Sequence, residues 1–267
     1  MKWIERLVLV SVIAVIAVAC DPLATNNKLP DVASLSDLML PAPSVVQGEV
    51  MKDSTGVETP LKLYAFDSEG RVLTNQAIQI TVVDPSIHVD QFGYVHGLSL
   101  DSAGARVIAG VGALQTPQVR IPVTVHPDIA SAPSGQTFAL NFPVPVVDSS
   151  NQGNWSPSLD VTITGPGPGN VQQGAQGFIV KYTITRQPAG AGGAATAYLI
   201  DSDPAKKTSR DTTNSSGKAS RRVVLRSGLL VDNTKTDTIV VRATASYSGL
   251  VISGFPIDFT IQTKKTP

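Results

Sequence analysis

The stretch Leu61–Phe66, which reads LKLYAF, alternates apolar and polar side chains and is followed at once by Asp67–Gly70, which reads DSEG. Alternation with a period of two is typical of a strand with one buried face. The Asp-x-x-Gly segment favours a turn, because glycine adopts positive φ without strain. The pattern recurs in Ile78–Val83 and in Val119–Val125, where Pro122 indicates an edge strand or a bulge. The sequence therefore predicts an all-β protein.

The second half of the chain repeats this pattern less regularly. Its predicted strands are Leu159–Thr164, Phe178–Thr185, Ala195–Ile200, Val223–Leu225, Ile239–Ala245 and Ile257–Ile261. Thr137–Val147 also alternates, but two prolines interrupt it, which leaves an edge strand of the second domain or an ordered connector as alternatives. A chain of 267 residues is long enough for two ordinary domains. We therefore predict two tandem β-sandwich domains, one over residues 45–130 and one, with its connector, over residues 131–267.

The order of strands and turns resembles the bacterial Ig-like (Big) family, which occurs in intimins, invasins and many surface lipoproteins. The matching segments are Leu61–Leu73, Gln79–Val82, Gly93–Gly97 and Val123–Val125 in the first half, and Asp211–Ala219 before a strand in the second. The resemblance implies an Ig-like β-sandwich over roughly residues 45 to 127, followed by a second Ig-like sandwich.

The amino-terminal segment has the layout of an export signal. Lys2 and Arg6 give a positive start, and Leu7–Ala19 is an uncharged run of 13 residues. As a helix this run spans about 20 Å, against about 30 Å for the hydrocarbon core of a bilayer. The alternative, a retained transmembrane helix, has to bury Glu5 and Arg6, which is costly. We therefore predict that residues 1–19 are a cleaved signal peptide.

Cys20, the only cysteine of the chain, follows this signal directly, with the small residues Ala17 and Ala19 before it. A lone cysteine cannot form an internal disulfide. The segment resembles the lipobox of bacterial lipoproteins, in which the cysteine carries a covalent diacylglycerol and becomes the first residue of the mature chain. In enteric bacteria an aspartate at the next position, here Asp21, tends to keep such a protein on the inner membrane. The resemblance implies a membrane-anchored lipoprotein, with the periplasmic face of the inner membrane favoured over the outer membrane or the cell surface.

Between the lipidation site and the first predicted domain, residues 20–44 contain four prolines and no sustained apolar period. Such a composition favours extended, poorly packed chain. We predict a lipidated amino terminus followed by a flexible, Pro-containing tether.

The charge of the chain is balanced overall but divided between its halves. The 21 basic and 21 acidic residues give a net charge of zero. Residues 21–154 carry a net charge of −7, and residues 155–267 carry a net charge of +6. Opposite net charges on the two halves permit three kinds of interaction: docking of the halves on each other, head-to-tail association of two molecules, or a separate partner for each half. An equal alternative is that both charged surfaces are simply solvated and have no partner.

Long loops make the second domain the predicted binding domain, because loops at the ends of a sandwich are held in place by its sheets. Its candidate binding residues are Lys206, Lys207, Arg210, Lys218, Arg221, Arg222 and Arg226. These cations suit an anionic lipid, an acidic protein or an anionic glycan, with an ordinary solvated surface as the alternative. Arg221 and Arg222 are adjacent, so in a strand they point to opposite faces. Trp155 is the candidate aromatic contact, or else a buried plug between the domains.

The sequence contains no recognised catalytic or metal-binding signature. His88, His96 and His126 have no Ser/His/Asp or zinc spacing, and His88 with His96 is more simply a cross-strand pair in a hairpin. The segment 201–203, which reads DSD, lacks the rest of a calcium loop and is better explained by a turn. We therefore expect a non-enzymatic protein with no catalytic residues, no metal and no cofactor besides the lipid on Cys20. Nucleic acid is not an expected partner, because no aromatic side chains interleave with the cations.

These features favour a non-enzymatic, exported, membrane-anchored lipoprotein whose Ig-like domains bind a protein or an envelope glycan in adhesion at the cell envelope. The alternative is an accessory structural subunit that packs on the periplasmic side of an inner-membrane protein complex. In both cases the lipid anchor makes the membrane itself a partner.

Overall fold

Two separate hydrophobic cores divide the chain into two β-sandwiches. The structure is a computed structural model that describes residues 31–142, 145–147, 152–203 and 205–266. The described chain is all-β, as predicted, with four short 3₁₀ segments at Gln152–Asn154, Pro168–Asn170, Ala191–Gly193 and Ser227–Leu229. The predicted signal peptide, the lipidation site Cys20 and the small residues Ala17 and Ala19 lie outside the described residues.

The first domain contains ten strands. They are β1 Ser34–Leu35, β2 Val45–Val46, β3 Ala65–Phe66, β4 Val72–Leu73, β5 Gln79–Val82, β6 Ile87–Val89, β7 Val95–Gly97, β8 Asp101–Val111, β9 Leu114–Gln115 and β10 Val119–Thr124. One sheet has the order β1-β3-β4, a second has the order β2-β10-β8-β5 with β9 paired to β8, and β6 pairs with β7 as a hairpin. Ala105, Val107 and Ala109 of β8 are fully buried and share one core with Leu61 and Leu63.

The stretch 61–73 behaves as its alternation predicts. Leu61, Leu63 and Ala65 are buried, while the intervening side chains are exposed. The turn that follows has Gly70 at φ +78°, and the Gly70 N–H donates to the Asp67 carbonyl at 3.1 Å. This turn joins β3 to β4 as an antiparallel pair.

Pro122 lies at a bulge, which is one of its two predicted alternatives. Strand β10 pairs with β2 on one side and with β8 on the other, so it is not an edge. Its register against β8 shifts between Ile121 and Val123, which places the irregularity at the proline that lacks an N–H.

The prediction of a flexible tether is wrong for residues 31–44, which pack along the first domain. The backbone N–H of Ala33 donates to the carbonyl of Phe66 at 2.8 Å, and Leu38 is buried in the first core. The prolines do not prevent this packing, because the residues between them keep N–H and C=O groups that pair with a neighbouring extended segment.

The second domain contains twelve strands. They are β11 Ile129–Ser131, β12 Thr137–Phe142, β13 Leu159–Pro166, β14 Gln172–Gly174, β15 Ile179–Arg186, β16 Ala197–Ile200, β17 Arg210–Thr212, β18 Lys218–Leu225, β19 Asp237–Thr244, β20 Ser246–Tyr247, β21 Leu250–Val251 and β22 Ile257–Lys265. Sheet one has the order β11-β13-β18-β16 with β14 paired to β13, and sheet two has the order β12-β22-β19-β15-β17. Val161 and Ile163 from sheet one and Val180 and Tyr182 from sheet two are fully buried in a common core.

Two strands settle where the second domain begins. Strand β12 pairs in parallel with β22 at the edge of sheet two, so the edge-strand alternative for residues 137–147 is correct over Thr137–Phe142. Strand β11 pairs with β13, so residues 129–131 already belong to the second domain, slightly before the predicted boundary at residue 130.

The two domains pack directly against each other through contacts that we call the seam. The Ser44 hydroxyl donates to the Gln176 carbonyl at 2.8 Å, and the Gln176 N–H donates to Thr124 Oγ1 at 2.7 Å. The phenol of Tyr247 donates to Glu49 Oε2 at 2.8 Å. Within the described ranges no ion pair joins the two domains. The seam is therefore formed by hydrogen bonds and packing. The opposite net charges of the two halves do not meet there as salt bridges.

The seam is closely fitted. Gly177 has φ +86°, and a Cβ at this position would lie 2.2 Å from the Ser44 hydroxyl oxygen. Burial raises the pKa of Glu49, but the hydrogen bonds from Lys52 and Tyr247 outweigh it and leave that pKa below its usual value. Glu49 is therefore ionised at neutral pH and accepts the phenol proton of Tyr247 as a charged group.

Within the part of the chain that the structure describes, no helix has the length and apolar character needed to cross a bilayer.

Candidate functional site

Alternation along β18 divides the predicted cations between the two faces of sheet one. This strand lies between β13 and β16, so it is not an edge. Arg221 points into the sandwich with a side chain that is only 4% exposed, whereas Arg222 points outward and is exposed. The assignment of Arg221 to a binding surface is therefore wrong, because its guanidinium does not reach the outside.

Arg221 instead links the two sheets of the second domain. Its Nη1 lies 3.2 Å from Asp211 Oδ2, which is in β17 of sheet two, and 3.7 Å from Asp201 Oδ1. Nη1 also donates to the carbonyl of Ser220 at 2.7 Å, and Nη2 donates to the carbonyl of Arg210. A buried guanidinium with charged and neutral acceptors on both sheets has a structural role.

Two aromatic side chains share the outer face of sheet one. Trp155 pairs with Val224 through an antiparallel bridge on one side of β18, and Tyr198 of β16 is directly opposite Val224 on the other. Residues directly opposite each other across strands point to the same face, so these three side chains form a row, which we call the aromatic row. Three strands spaced about 4.8 Å apart give the row a span of about 10 Å.

Trp155 thus pairs within the second domain. It is half-buried, and the fully buried Val224 lies between it and Tyr198 in the register of the sheet. The alternative in which Trp155 is a plug between the domains is not what the structure shows, since Trp155 precedes β13 and this strand approaches Val125 and His126 near its other end, at Gly165.

Three of the predicted cations surround the aromatic row. Lys207 Nζ lies 4.6 Å from the ring centroid of Tyr198, and Arg226 Cζ lies 5.6 Å from the same centroid. Both distances are within the range of a cation–π contact. Arg222 lies two residues before Val224 and so projects from the same face. We call the aromatic row with these three cations the cationic aromatic face.

The cations of this face are not neutralised by acidic side chains. Among the described residues, Lys207, Arg222 and Arg226 have no carboxylate within 4.0 Å. The Arg226 guanidinium does donate to the carbonyl of Ala195, which fixes its position beside Tyr198. The face is therefore positively charged and held in place by a sheet.

The remaining predicted cations lie elsewhere. Lys218 is 2.7 Å from Asp160 and is paired with it. Lys206 is exposed in the loop after β16. Arg210 is exposed on β17, which belongs to the opposite sheet. The structure thus brings together Trp155 with three of the seven cations.

Sequence reasoning missed Tyr198, the aromatic residue that both Lys207 and Arg226 contact. Alternation in the predicted strand 195–200 does indicate that Tyr198 points outward, because it lies between the buried Ala197 and Leu199. The residues grouped with it on this face, 155, 207 and 226, are brought there by long-range pairing, which a single sequence does not predict.

Two titratable groups near Arg221 have shifted pKa values. Burial raises the pKa of the Tyr182 phenol, and the nearby carboxylate of Asp211 acts in the same direction. The backbone N–H of Ser202 lowers the pKa of Asp201, and the charge of Arg221 adds to this effect. Tyr182 therefore stays protonated and Asp201 stays ionised at neutral pH, in fixed structural states.

The histidine pair of the first domain lies in the hairpin β6–β7. His88 is directly opposite His96, with ring centroids 6.0 Å apart, and His96 Nε2 is 3.7 Å from Asp90 Oδ2. Within the described ranges no group of three or more potential ligand side chains is placed to hold a metal ion. The Asp203 carboxylate accepts a hydrogen bond from the Ala205 N–H at 3.0 Å, as a turn requires.

The chain is similar to known proteins in its backbone arrangement and not in its sequence. No protein-family profile and no curated protein sequence matches the chain. Among solved structures, the adhesin InvE of Yersinia pseudotuberculosis is similar at 13% identity and a TM-score of 0.31, over 83% of this chain and 56% of its own. Domains 4–9 of the surface layer protein SbsC match at 11% identity and a TM-score of 0.29, over 89% of this chain and 32% of that one. The D0-D1 domain of intimin matches at 12% identity and a TM-score of 0.25, over 85% and 98%.

The chain thus spans about half the length of the InvE structure and about a third of the SbsC structure. The all-β, two-sandwich architecture rests on the strand pairing described above. What the cationic aromatic face can do follows from its own chemistry: flat rings offer apolar stacking surfaces, and neighbouring ammonium and guanidinium groups attract anions.

Proposed function

We propose that this protein is a non-enzymatic, exported lipoprotein that is anchored through Cys20 and binds an acidic glycan of the cell envelope through the cationic aromatic face. The anchor places the protein at a membrane, with the periplasmic face of the inner membrane as its site. The binding role is of the adhesion type, in which contact area on a rigid domain provides the affinity.

One observation carries the proposal: two aromatic side chains on one face are bordered by three cations that have no carboxylate within 4.0 Å among the described residues. Lys207 and Arg226 both lie against Tyr198, which sets positive charge next to a ring face. Their apolar stems and the ring together form a surface that is apolar at its centre and cationic at its rim.

An acidic glycan fits this surface better than a protein partner does. Sugar rings present flat C–H faces that stack on aromatic side chains, and uronate, sulfate or phosphate groups pair with Arg and Lys. The row spans about 10 Å across three strands, which gives an extended polymer more than one contact. A row of this size makes a weak single contact, and a polymer offsets this weakness because it carries the same group at many positions along its length.

The test uses the full-length chain and three immobilised polymers: alginate, which carries a carboxylate on every sugar, heparin, which carries sulfates, and neutral dextran. Retention on alginate or heparin but not on dextran is expected at low salt. Raising the salt concentration from about 50 to 300 mM weakens but does not abolish retention, because stacking is not screened.

The variants separate this face from general basic charge. Lys207→Gln with Arg222→Gln removes two exposed cations of the face and is expected to weaken retention at least tenfold. Lys62→Gln with Lys264→Gln removes the same charge from exposed positions elsewhere and serves as the matched control. Equal loss in both double variants, or equal binding to dextran, contradicts the proposal.

A further inference from the structure

A cavity lies away from the cationic aromatic face, where the two domains meet. Its volume is about 450 Å³, which falls in the range of about 300–1,000 Å³ typical of small-molecule sites. Residues 41–46 and 51–54 of the first domain form one wall. The outer face of sheet two and the β20–β21 hairpin form the floor and the other wall. We call it the seam cleft.

The walls of the seam cleft are largely apolar. Pro41 and Pro43 contribute from the first domain, and Phe178, Ile179 and Val251 contribute from the second. Ile179 is 44% exposed and Val251 is 66% exposed, so apolar surface faces water inside a concave site. A ligand with an apolar chain would cover this surface and release the water.

Two cations at the mouth of the cleft lack an acidic partner. Lys181 of β15 is directly opposite Arg210 of β17, and both side chains are exposed and line the cavity. Like charges directly opposite each other on adjacent strands repel. Within the described residues neither side chain lies within 4.0 Å of a carboxylate.

The cleft has three other charged groups nearby. Lys52 Nζ lies 2.6 Å from Glu49 Oε2, so these two charges offset each other. Asp53 keeps its negative charge, but its oxygens accept hydrogen bonds within its own loop, from the Thr55 N–H at 2.8 Å and the Val57 N–H at 3.1 Å among others. The two cations Lys181 and Arg210 therefore outnumber the one unpaired carboxylate of the lining.

We propose that the seam cleft binds a single-chain amphiphile with an anionic headgroup, such as a fatty carboxylate or an alkyl phosphate. The headgroup lies between Lys181 and Arg210, where it relieves their mutual repulsion and accepts hydrogen bonds from both. The alkyl chain lies along Ile179, Val251 and Pro43. This site is independent of the proposed glycan-binding function, because it lies on the opposite sheet and uses none of the same residues.

The experiment uses the full-length chain in digitonin, a bulky neutral detergent that does not resemble a single alkyl chain. A palmitate probe with a diazirine in its chain is activated by light, and the labelled peptides are identified by mass spectrometry. Labels are expected on the peptides that contain Pro43 or Ile179. Dodecyl phosphate is expected to compete at low concentration, whereas inorganic phosphate and dodecanol compete at least tenfold less well.

Two double variants with the same loss of charge give the control. Lys181→Gln with Arg210→Gln is expected to lower labelling at least fivefold and, without ligand, to keep or raise the melting temperature, since two like charges are removed. Lys62→Gln with Lys264→Gln, at exposed positions that do not line the cleft, is expected to leave labelling within twofold of the natural protein. Labels outside the cleft, undiminished labelling of the first double variant, or equal competition by dodecanol or by inorganic phosphate would each overturn the proposal.

Discussion

Two adjacent arginines of β18 offer a sharp test of the structure. Replacing Arg221 by alanine removes the guanidinium that pairs with Asp211 and Asp201 and that donates to the carbonyl groups of Ser220 and Arg210. Removing one partner of a buried ion pair costs about 3–5 kcal/mol. Because Asp211 is 28% exposed and Asp201 is 40% exposed, solvent screens part of this cost and about 3 kcal/mol is the expected loss for Arg221→Ala.

The neighbouring substitution supplies the control. Arg222 is exposed and has no carboxylate partner among the described residues, so Arg222→Ala is expected to change the free energy of unfolding by about 0.5 kcal/mol or less. For a domain of this size a loss of about 3 kcal/mol lowers the melting temperature by about 10 °C.

The assay is thermal and urea unfolding of the full-length variants, followed by circular dichroism. The two domains can unfold separately, so the transition of the second domain is the one compared. If Arg221→Ala and Arg222→Ala differ by less than about 1 kcal/mol, the cross-sheet role of Arg221 is wrong. Arg221→Met, which fills a similar volume, is expected to remain destabilised, because Asp211 and Asp201 still lose their cationic partner.

Four further outcomes are expected. Tyr247→Phe removes the hydrogen bond to Glu49 and loosens the seam by about 1–2 kcal/mol, measured as faster proteolysis between the domains. The carboxylate of Glu49 has a pKa below its ordinary value of 4.5 in the folded state. Its contribution to stability is therefore present at neutral pH and is lost as the pH falls below 4.5 and through the folded-state pKa. Glu49→Gln should flatten that part of the stability profile. Gly177→Ala drives a methyl group into Ser44 and should separate the domains in small-angle scattering, with both sandwiches still folded. Cys20→Ser should release the protein from the membrane fraction, and an acylated membrane form of this variant would contradict the lipid anchor.

Local patterns predicted the fold well because they act through nearest neighbours. The alternation of residues 61–66 and the turn at Gly70 follow from the two-residue period of a strand and from positive φ. Pro122 was correctly limited to an edge or a bulge, since a proline has no N–H to donate. None of these features depends on a distant part of the chain.

Long-range pairing explains what the sequence could not predict. Residues 31–44 have a composition typical of a tether, yet their free N–H groups find carbonyls near residue 66. Alternation with Ala219 and Val223 favours the buried face for Arg221, but its partner Asp211 lies on the other sheet and no local pattern marks it. Tyr247 meets Glu49 across 198 positions of sequence, and no local pattern marks either residue as a partner of the other.

The seam also has a mechanical consequence. The proposed anchor lies before the first domain and the proposed glycan site lies in the second, so a pull on a bound polymer passes from one sandwich to the other. The hydrogen bonds of Ser44, Gln176 and Tyr247 act beside the covalent chain and share that load with it. These hydrogen bonds oppose separation of the two domains, so we expect a rising force to part the domains at the seam before either sandwich unfolds.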